Sequence, residues 1–185
     1  MYVIAILTTL VFAYWLYRGW KRRAIIQQYS QAAEKGDAEA QFEMGVLNQY
    51  GRGIPQDLGR AVALYCKAAE RGHLEAQSNL GILYAKGQGI PRDYNEAVKW
   101  FTKAAEQGNA FAQNNLGYLY SLGEGFSKDF VTAYMWQDIA VSGLEGQEKK
   151  KVEMNRDMFL ATHMTPEEID RAKRMVAEWK ERHKC

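Results

Sequence analysis

Cysteine is nearly absent: the 185-residue chain has two, Cys66 and Cys185, and the second is its last residue. That excludes a disulfide framework. The three histidines stand far apart, at 73, 163 and 183, and no Cys/His spacing suits a metal ion. Proline is equally scarce, with three residues, and no Gly/Pro/Ser-rich stretch marks a flexible linker. Dense positive charge is missing from most of the chain. Arg18, Lys21, Arg22 and Arg23 precede the first acid, Glu34, and without those four, 20 basic residues face 22 acidic ones. The formal charge of +2 therefore hides a slightly acidic body without a basic stripe, which argues against nucleic acid as a partner. No Gly-Lys-Ser/Thr follows a Gly-rich loop and no Ser-His-Asp set gathers at an elbow, so no catalytic residue, cofactor or small-molecule substrate is indicated. Glu167 and Glu168 stand at a helix start, where carboxylates are favoured electrostatically, and do not read as a catalytic pair.

What is present begins with a long apolar run. Residues 1–17 carry no charge, and Arg18-Gly-Trp-Lys-Arg-Arg follows. As a helix, such a run rises about 25 Å, at the short end of a membrane span. Tyr14, Trp15, Tyr17 and Trp20 gather at its exit, where aromatic rings favour the headgroup level. No basic residue precedes the run and no small-residue cleavage site follows it, which disfavours a cleaved signal peptide. Residues 1–20 are expected to form a single transmembrane anchor. The basic cluster on its C-terminal side places the rest of the chain in the cytoplasm, across the inner membrane in a bacterial setting.

The body is periodic. Moved by thirty-six positions, Ala40–Glu75 falls on Ala76–Phe111 with sixteen identities, and a third unit begins at Ala112. A period of this length signals a stack of supersecondary units. Each first helix carries Ala-Gln (40–41, 76–77, 112–113) and a mid-helix glycine (Gly45, Gly81, Gly117). Such a glycine costs about 1 kcal/mol against alanine, so its recurrence implies a close neighbour. Ala61, Ala97 and Ala133 on the second helices read as the matching small face. The turn Gly51-Arg-Gly-Ile-Pro-Gln-Asp57 recurs as 87–93 and, with Phe126-Ser127, as 123–129. Its first Gly suits a left-handed helix end, and its Asp suits the cap of the next helix.

The pattern Ala-Gln-x-x-Leu-Gly-x-x-Tyr-x-x-Gly-x-Gly-Ile-Pro-x-Asp, then Ala-x-x-Trp-x-x-x-Ala-Ala-x-x-Gly, resembles the Sel-1-like repeat family, a relative of the tetratricopeptide repeats. Ala76–Phe111 matches it almost throughout; Ala40–Glu75 departs at Asn48 and Leu64, and the third unit at Phe126-Ser127 and in a short exit. The resemblance implies an all-α fold, an α-α superhelix or solenoid of helix-turn-helix repeats whose concave face is lined by first helices. The expected organisation is a transmembrane helix (1–20), a membrane-proximal half-repeat (21–39), three repeats (40–75, 76–111, 112–146) and capping helices (147–185). The half-repeat follows from Ala32-Ala33-Glu34-Lys35-Gly36, which matches Ala68–Gly72. The cap follows from a helical pattern over 147–161 and from Thr165-Pro166-Glu167-Glu168, a capping box ahead of Ile169, Ala172, Met175, Val176 and Trp179 at three- and four-residue spacing.

With chemistry unsupported, binding by surface remains. Asn79 and Asn115 precede Leu-Gly on the first helices, where related repeats use Asn to hold an extended ligand's backbone. With Asn48, Asn114, Lys86 and the aromatic Tyr84, Tyr118 and Tyr120 they form the candidate groove set. The expected activity is that of a non-enzymatic, membrane-anchored adaptor for a protein or peptide. Its alternatives are a periplasmic envelope-complex scaffold and, from another class, a peptidoglycan or signalling enzyme.

Overall fold

A single helix, α1 (Tyr2–Glu34), opens the computed structural model, which describes residues 2–123 and 127–183, with side chains from Tyr17 onward. Helical hairpins follow: α2 (Ala38–Tyr50) with α3 (Leu58–Glu70), α4 (Leu74–Lys86) with α5 (Tyr94–Glu106), and α6 (Ala110–Leu122) with α7 (Phe130–Gly143). Then come α8 (Gly146–Met154), a π-helical turn (Asn155–Leu160), a 3-10 turn (Ala161–His163) and α9 (Pro166–Arg182). The described residues contain no strand, and the fold is an all-α helical-repeat solenoid. The chain divides into two compact units, Met1–His73 and Leu74–Cys185.

The turn chemistry explains where the helices stop and start. Gly51, Gly87 and Gly123 take φ of 64°, 66° and 69°, a left-handed conformation that a Cβ disfavours. Asp57, Asp93 and Asp129 each sit in extended backbone and accept from the free N–H groups of the next helix. Each of these aspartates also donates its own N–H back to the preceding helix, to the carbonyls of Asn48, Tyr84 and Tyr120 at 2.9, 3.1 and 3.0 Å. Asp37 and Asn109 cap α2 and α6 in the same way. Phe126 lies outside the described residues.

In the first unit α1 packs on α2 and α2 on α3. No break divides α1 at Gly19; the helix runs through to Glu34. The Gln of two of the Ala-Gln pairs is a structural tie. Gln41 donates to the Ala33 carbonyl at 3.1 Å, and in the second unit Gln113 donates to Ala105 at 3.0 Å. Both glutamines are buried, so these bonds hold a first helix to the last turn of the helix before it.

The mid-helix glycines are close-approach points; in the first two hairpins their partners differ from the alanines expected, while at Gly117 the expected Ala133 is among them. A Cβ at Gly45 would lie 2.6 Å from the Tyr65 ring, and one at Gly81 would lie 2.7 Å from the Phe101 ring. At Gly117 it would meet the Gln137 side chain at 2.8 Å and the Ala133 carbonyl at 2.9 Å. In the first two hairpins, then, a flat ring covers the glycine, with buried Ala61 and Ala97 one turn away. The second unit's core joins Phe101, Leu116, Leu119, Trp136 and Ile139 and reaches Val176 on α9. Thr165 and Glu168 form the reciprocal capping box at the head of α9, with Pro166 in the first turn. The region read as one helix over 147–161 is instead broken by the π-helical turn, which buries Leu160 and leaves Met158 and Phe159 exposed.

Among the described residues no helix is long and apolar enough to cross a membrane. The run expected to do so lies, up to Leu16, outside the residues whose side chains are described.

Candidate partner-binding face

Helical geometry sorts the candidate groove residues into two sets. Residues three, four and seven apart share a face of a helix. On α6 that spacing links Phe111, Asn115, Tyr118 and Leu122. Phe111, Tyr118 and Leu122 are 59%, 52% and 39% exposed, and Asn115 between them is half-buried. On α4 of the same unit the equivalent positions are Glu75, Asn79, Ile82 and Lys86, with Asn79 and Ile82 half-buried and Glu75 and Lys86 exposed. Asn79 and Lys86 thus share one stripe, and Asn115 and Tyr118 share the corresponding one.

Tyr84 and Tyr120 belong to a different column. Both are half-buried and pack against the second unit's core, and their carbonyls receive the N–H of the capping aspartates. Burial, with the charge of Asp129 beside it, pushes the Tyr120 hydroxyl above its usual pKa. The equivalent position in the first unit is Asn48, 2% exposed, whose Nδ2 donates to the Met44 carbonyl at 2.7 Å. Asn48 therefore spends an amide N–H on its own helix and stands apart from the exposed stripe, lining a cavity with Ile26, Met44 and Gly53. The reason is angular: Tyr118 and Tyr120 are two residues apart, about 200° around a helix, so only one of them faces outward. Asn114, half-buried, lies at the edge of the exposed stripe.

Reading by residue type missed Phe111 and Leu122. The signal was present in their spacing from Asn115, four residues back and seven forward, and an apolar residue at such a position reads as core unless the packed face is known. Helix α2 carries Glu39, Glu43, Val46 and Tyr50 at these places, of which Glu39 and Tyr50 are exposed. Glu39 is engaged by His73 at 3.1 Å, and the His73 ring stacks on Phe42 with centroids 4.5 Å apart.

The shifted titratable groups have structural causes. The Arg156 guanidinium makes two bonds to Asp157, at 2.7 and 3.0 Å, and one to Asp138 at 2.5 Å. Its bonding holds the Asp157 carboxyl below the usual range. Burial first, then the neighbouring acids, raise the Tyr134 phenol. This network fastens the π-helical turn to α7. Glu167 is lowered by hydrogen bonds at the helix start, from its own backbone and from Thr165. Among the described residues no three His, Cys, Asp or Glu side chains lie close enough to hold a metal ion.

The Sel1 repeat model matches residues 38–73, 74–109 and 110–136. Among solved structures, the chain is similar to c5321, a protective antigen of uropathogenic Escherichia coli strains displaying an SLR fold. The identity is 33%, the TM-score 0.76, and the match covers 86% of this chain and 33% of that one. It is similar also to a Sel1 repeat protein from Oxalobacter formigenes, with 30% identity, a TM-score of 0.65, and 83% of this chain against 63% of that one. The chain thus spans about a third of the first and less than two thirds of the second. No curated protein sequence matches it.

Proposed function

For a chain that belongs to the Sel1 repeat family, we propose the role of a non-enzymatic adaptor, anchored in a membrane by its N-terminal segment, that holds a protein or peptide partner on the stripe along α6. The family's repeats are in general protein-interaction scaffolds. The carrying observation is the exposed row Phe111, Tyr118 and Leu122 with Asn115 in its middle. Exposed apolar residues in one row, beside polar ones, are the signature of a contact surface, and rigid aromatic anchors dominate interface energetics. The Asn115 amide, with Asn79 and Lys86 on α4, supplies donors for a ligand's backbone carbonyls or terminal carboxylate.

Membrane attachment is supported by the uncharged residues 1–17, the aromatic exit and the basic border. The same border supports cytoplasmic repeats. A C-terminal alkaline phosphatase fusion tests that topology: activity there places the repeats in the periplasm, as an envelope scaffold, and refutes the cytoplasmic assignment. The binding face is tested by affinity purification of the full chain from detergent-solubilised membranes. Wild type is compared with Asn115→Ala/Tyr118→Ala and Asn79→Ala/Asn115→Ala. The expected result is partner loss in both variants at unchanged far-UV circular dichroism; partners retained at full yield refute the assignment.

A further inference from the structure

A cavity of about 570 Å³ opens between α1 and the α2–α3 turn. Four cations line it: Arg18, Lys21 and Arg22 from the helix and Arg52 from the turn. Ile25, Ile26 and Leu47 form an apolar wall, and no lining residue is acidic. The stripe 18, 21, 22, 25, 26, 29 follows three- and four-residue spacing, so it is one face of α1. The lower part of that face is apolar and reaches the turn at Gly53 through Ile26; its upper part is cationic and lines the same cavity as Arg52, whose guanidinium lies 5.0 Å from the Tyr50 ring centroid. Gathering Arg52, Lys21 and Arg22 around one cavity is unfavourable by Coulomb repulsion without an anion among them. The approach of the Arg22 stem to the turn is nonetheless built in. A side chain at Gly53 would stand 2.9 Å from Cδ of Arg22 and 3.1 Å from Cδ1 of Ile26. The absent side chain, at a φ of 86°, is what lets the Arg22 stem lie against the turn.

We infer that this cavity binds the phosphate headgroup of an anionic lipid, a reading that rests on the membrane anchor proposed above. Depth supports it. Lys21 and Arg22 lie about 6–8 Å further along the helix axis than Tyr17, the end of the uncharged run, and a headgroup layer is about 5–8 Å thick. The apolar wall selects an amphiphile over inorganic phosphate. The exposed Trp20, at 69%, sits at the level of Lys21, and Tyr17, at 55%, about one turn nearer the uncharged run, in the zone where aromatic rings prefer the interface.

The test uses the full chain in non-ionic detergent micelles, titrated calorimetrically with dihexanoyl phosphatidylglycerol, dihexanoyl phosphatidylcholine and inorganic phosphate. Saturable binding of the first is expected, with the other two at least about tenfold weaker. Arg52→Gln and Arg22→Gln should each weaken it about fivefold, the scale of one basic residue at an anionic surface. Arg52→Lys should retain most of it, and Lys150→Gln on α8 all of it. Because Arg52 is exposed, its variants read binding without threatening the fold. Phosphatidylcholine bound as tightly as phosphatidylglycerol overturns the inference, as does undiminished binding by the Gln variants. Phosphate bound equally well overturns the lipid as its source. Flotation on neutral phosphatidylcholine vesicles reads the anchor separately. A chain that fails to float overturns the anchor and the lipid commitment with it, whereas a chain that floats but shows no phosphatidylglycerol preference overturns the cavity alone.

Discussion

Replacing Gly81 by alanine should destabilise the protein, although the same change inside most helices stabilises. In a helix interior Gly→Ala is worth about 1 kcal/mol in favour of alanine. Here the new Cβ would lie 2.7 Å from both Cδ1 and Cε1 of Phe101 and 2.9 Å from Cγ, where 3.4–4 Å is ordinary contact. Phe101 cannot withdraw, being 1% exposed and packed among Ala97, Ala104 and Ala105, none above 0%. Overpacking of this kind costs about 1–3 kcal/mol, and three ring atoms met at once put it near the upper end. The net loss is then about 1–2 kcal/mol, or a fall of about 2–8 °C in Tm for a chain of this size. Urea and thermal denaturation of the full chain in non-ionic detergent, followed by far-UV circular dichroism, would measure it. Gly59→Ala on α3 is the internal control: the nearest atom to its Cβ is 3.6 Å away and the site is exposed, so it should be neutral or stabilise by up to about 1 kcal/mol. The double variant Gly81→Ala/Phe101→Leu should lose less than the two single changes added together. Gly81→Ala stabilising to the same extent as Gly59→Ala would refute the close-packing account.

Three further outcomes follow from the same structure. Asp93→Ala removes the acceptor for the N–H groups of Asn95 and Glu96 and should cost about 1 kcal/mol, read as a lower urea midpoint. Gln113→Leu removes the buried side-chain bond to the Ala105 carbonyl at 3.0 Å, which keeps the Gly108 N–H, and should cost about 0.5–1.5 kcal/mol, whereas Gln56→Leu, which removes an exposed bond to the Gln49 carbonyl, should cost far less. Asp157 has a lowered carboxyl pKa in the folded state, so its contribution is present above the unfolded value of about 3.9 and lost as pH falls further, through the folded value. Asp157 is more than half exposed, which limits the effect to about 1 kcal/mol or less. The midpoints of wild type and Asp157→Asn should therefore differ slightly at pH 7 and draw together as the pH falls below the unfolded value; a gap that widens on acidification would contradict the assigned partner.

The repeat was legible because its signals are local. A left-handed glycine, a capping aspartate and a mid-helix glycine need only a few neighbouring residues to be recognised, and all three recur in phase. What covers the glycine was harder to see. The aromatic lies twenty positions on, Tyr65 from Gly45 and Phe101 from Gly81, an offset that becomes visible only when two helices are laid against each other. The exposed stripe on α6 was hard to see for a related reason. Tyr118 and Tyr120 are identical in type, and choosing between them requires knowing which side of α6 meets α7. Asn48 looked like a surface amide because asparagine is usually exposed, yet it is 2% exposed and donates to the Met44 carbonyl. The cavity that Arg52 shares with the basic face of α1 depends on the approach of Gly53 to Arg22, some thirty residues apart in sequence, and left no local trace.

The continuity of α1 has a mechanical consequence. Thirty-three residues of flexible chain would have an end-to-end distance of about 30 Å, with every direction allowed; the same residues as a helix form a rod about 50 Å long. Its lower end is clamped to α2, in part through the Gln41–Ala33 bond. A coil passes on only distance, whereas a rod passes on angle as well. A rotation or tilt imposed at the far end of α1 is therefore delivered to the first repeat as torque, at full amplitude, as a crank turns its shaft.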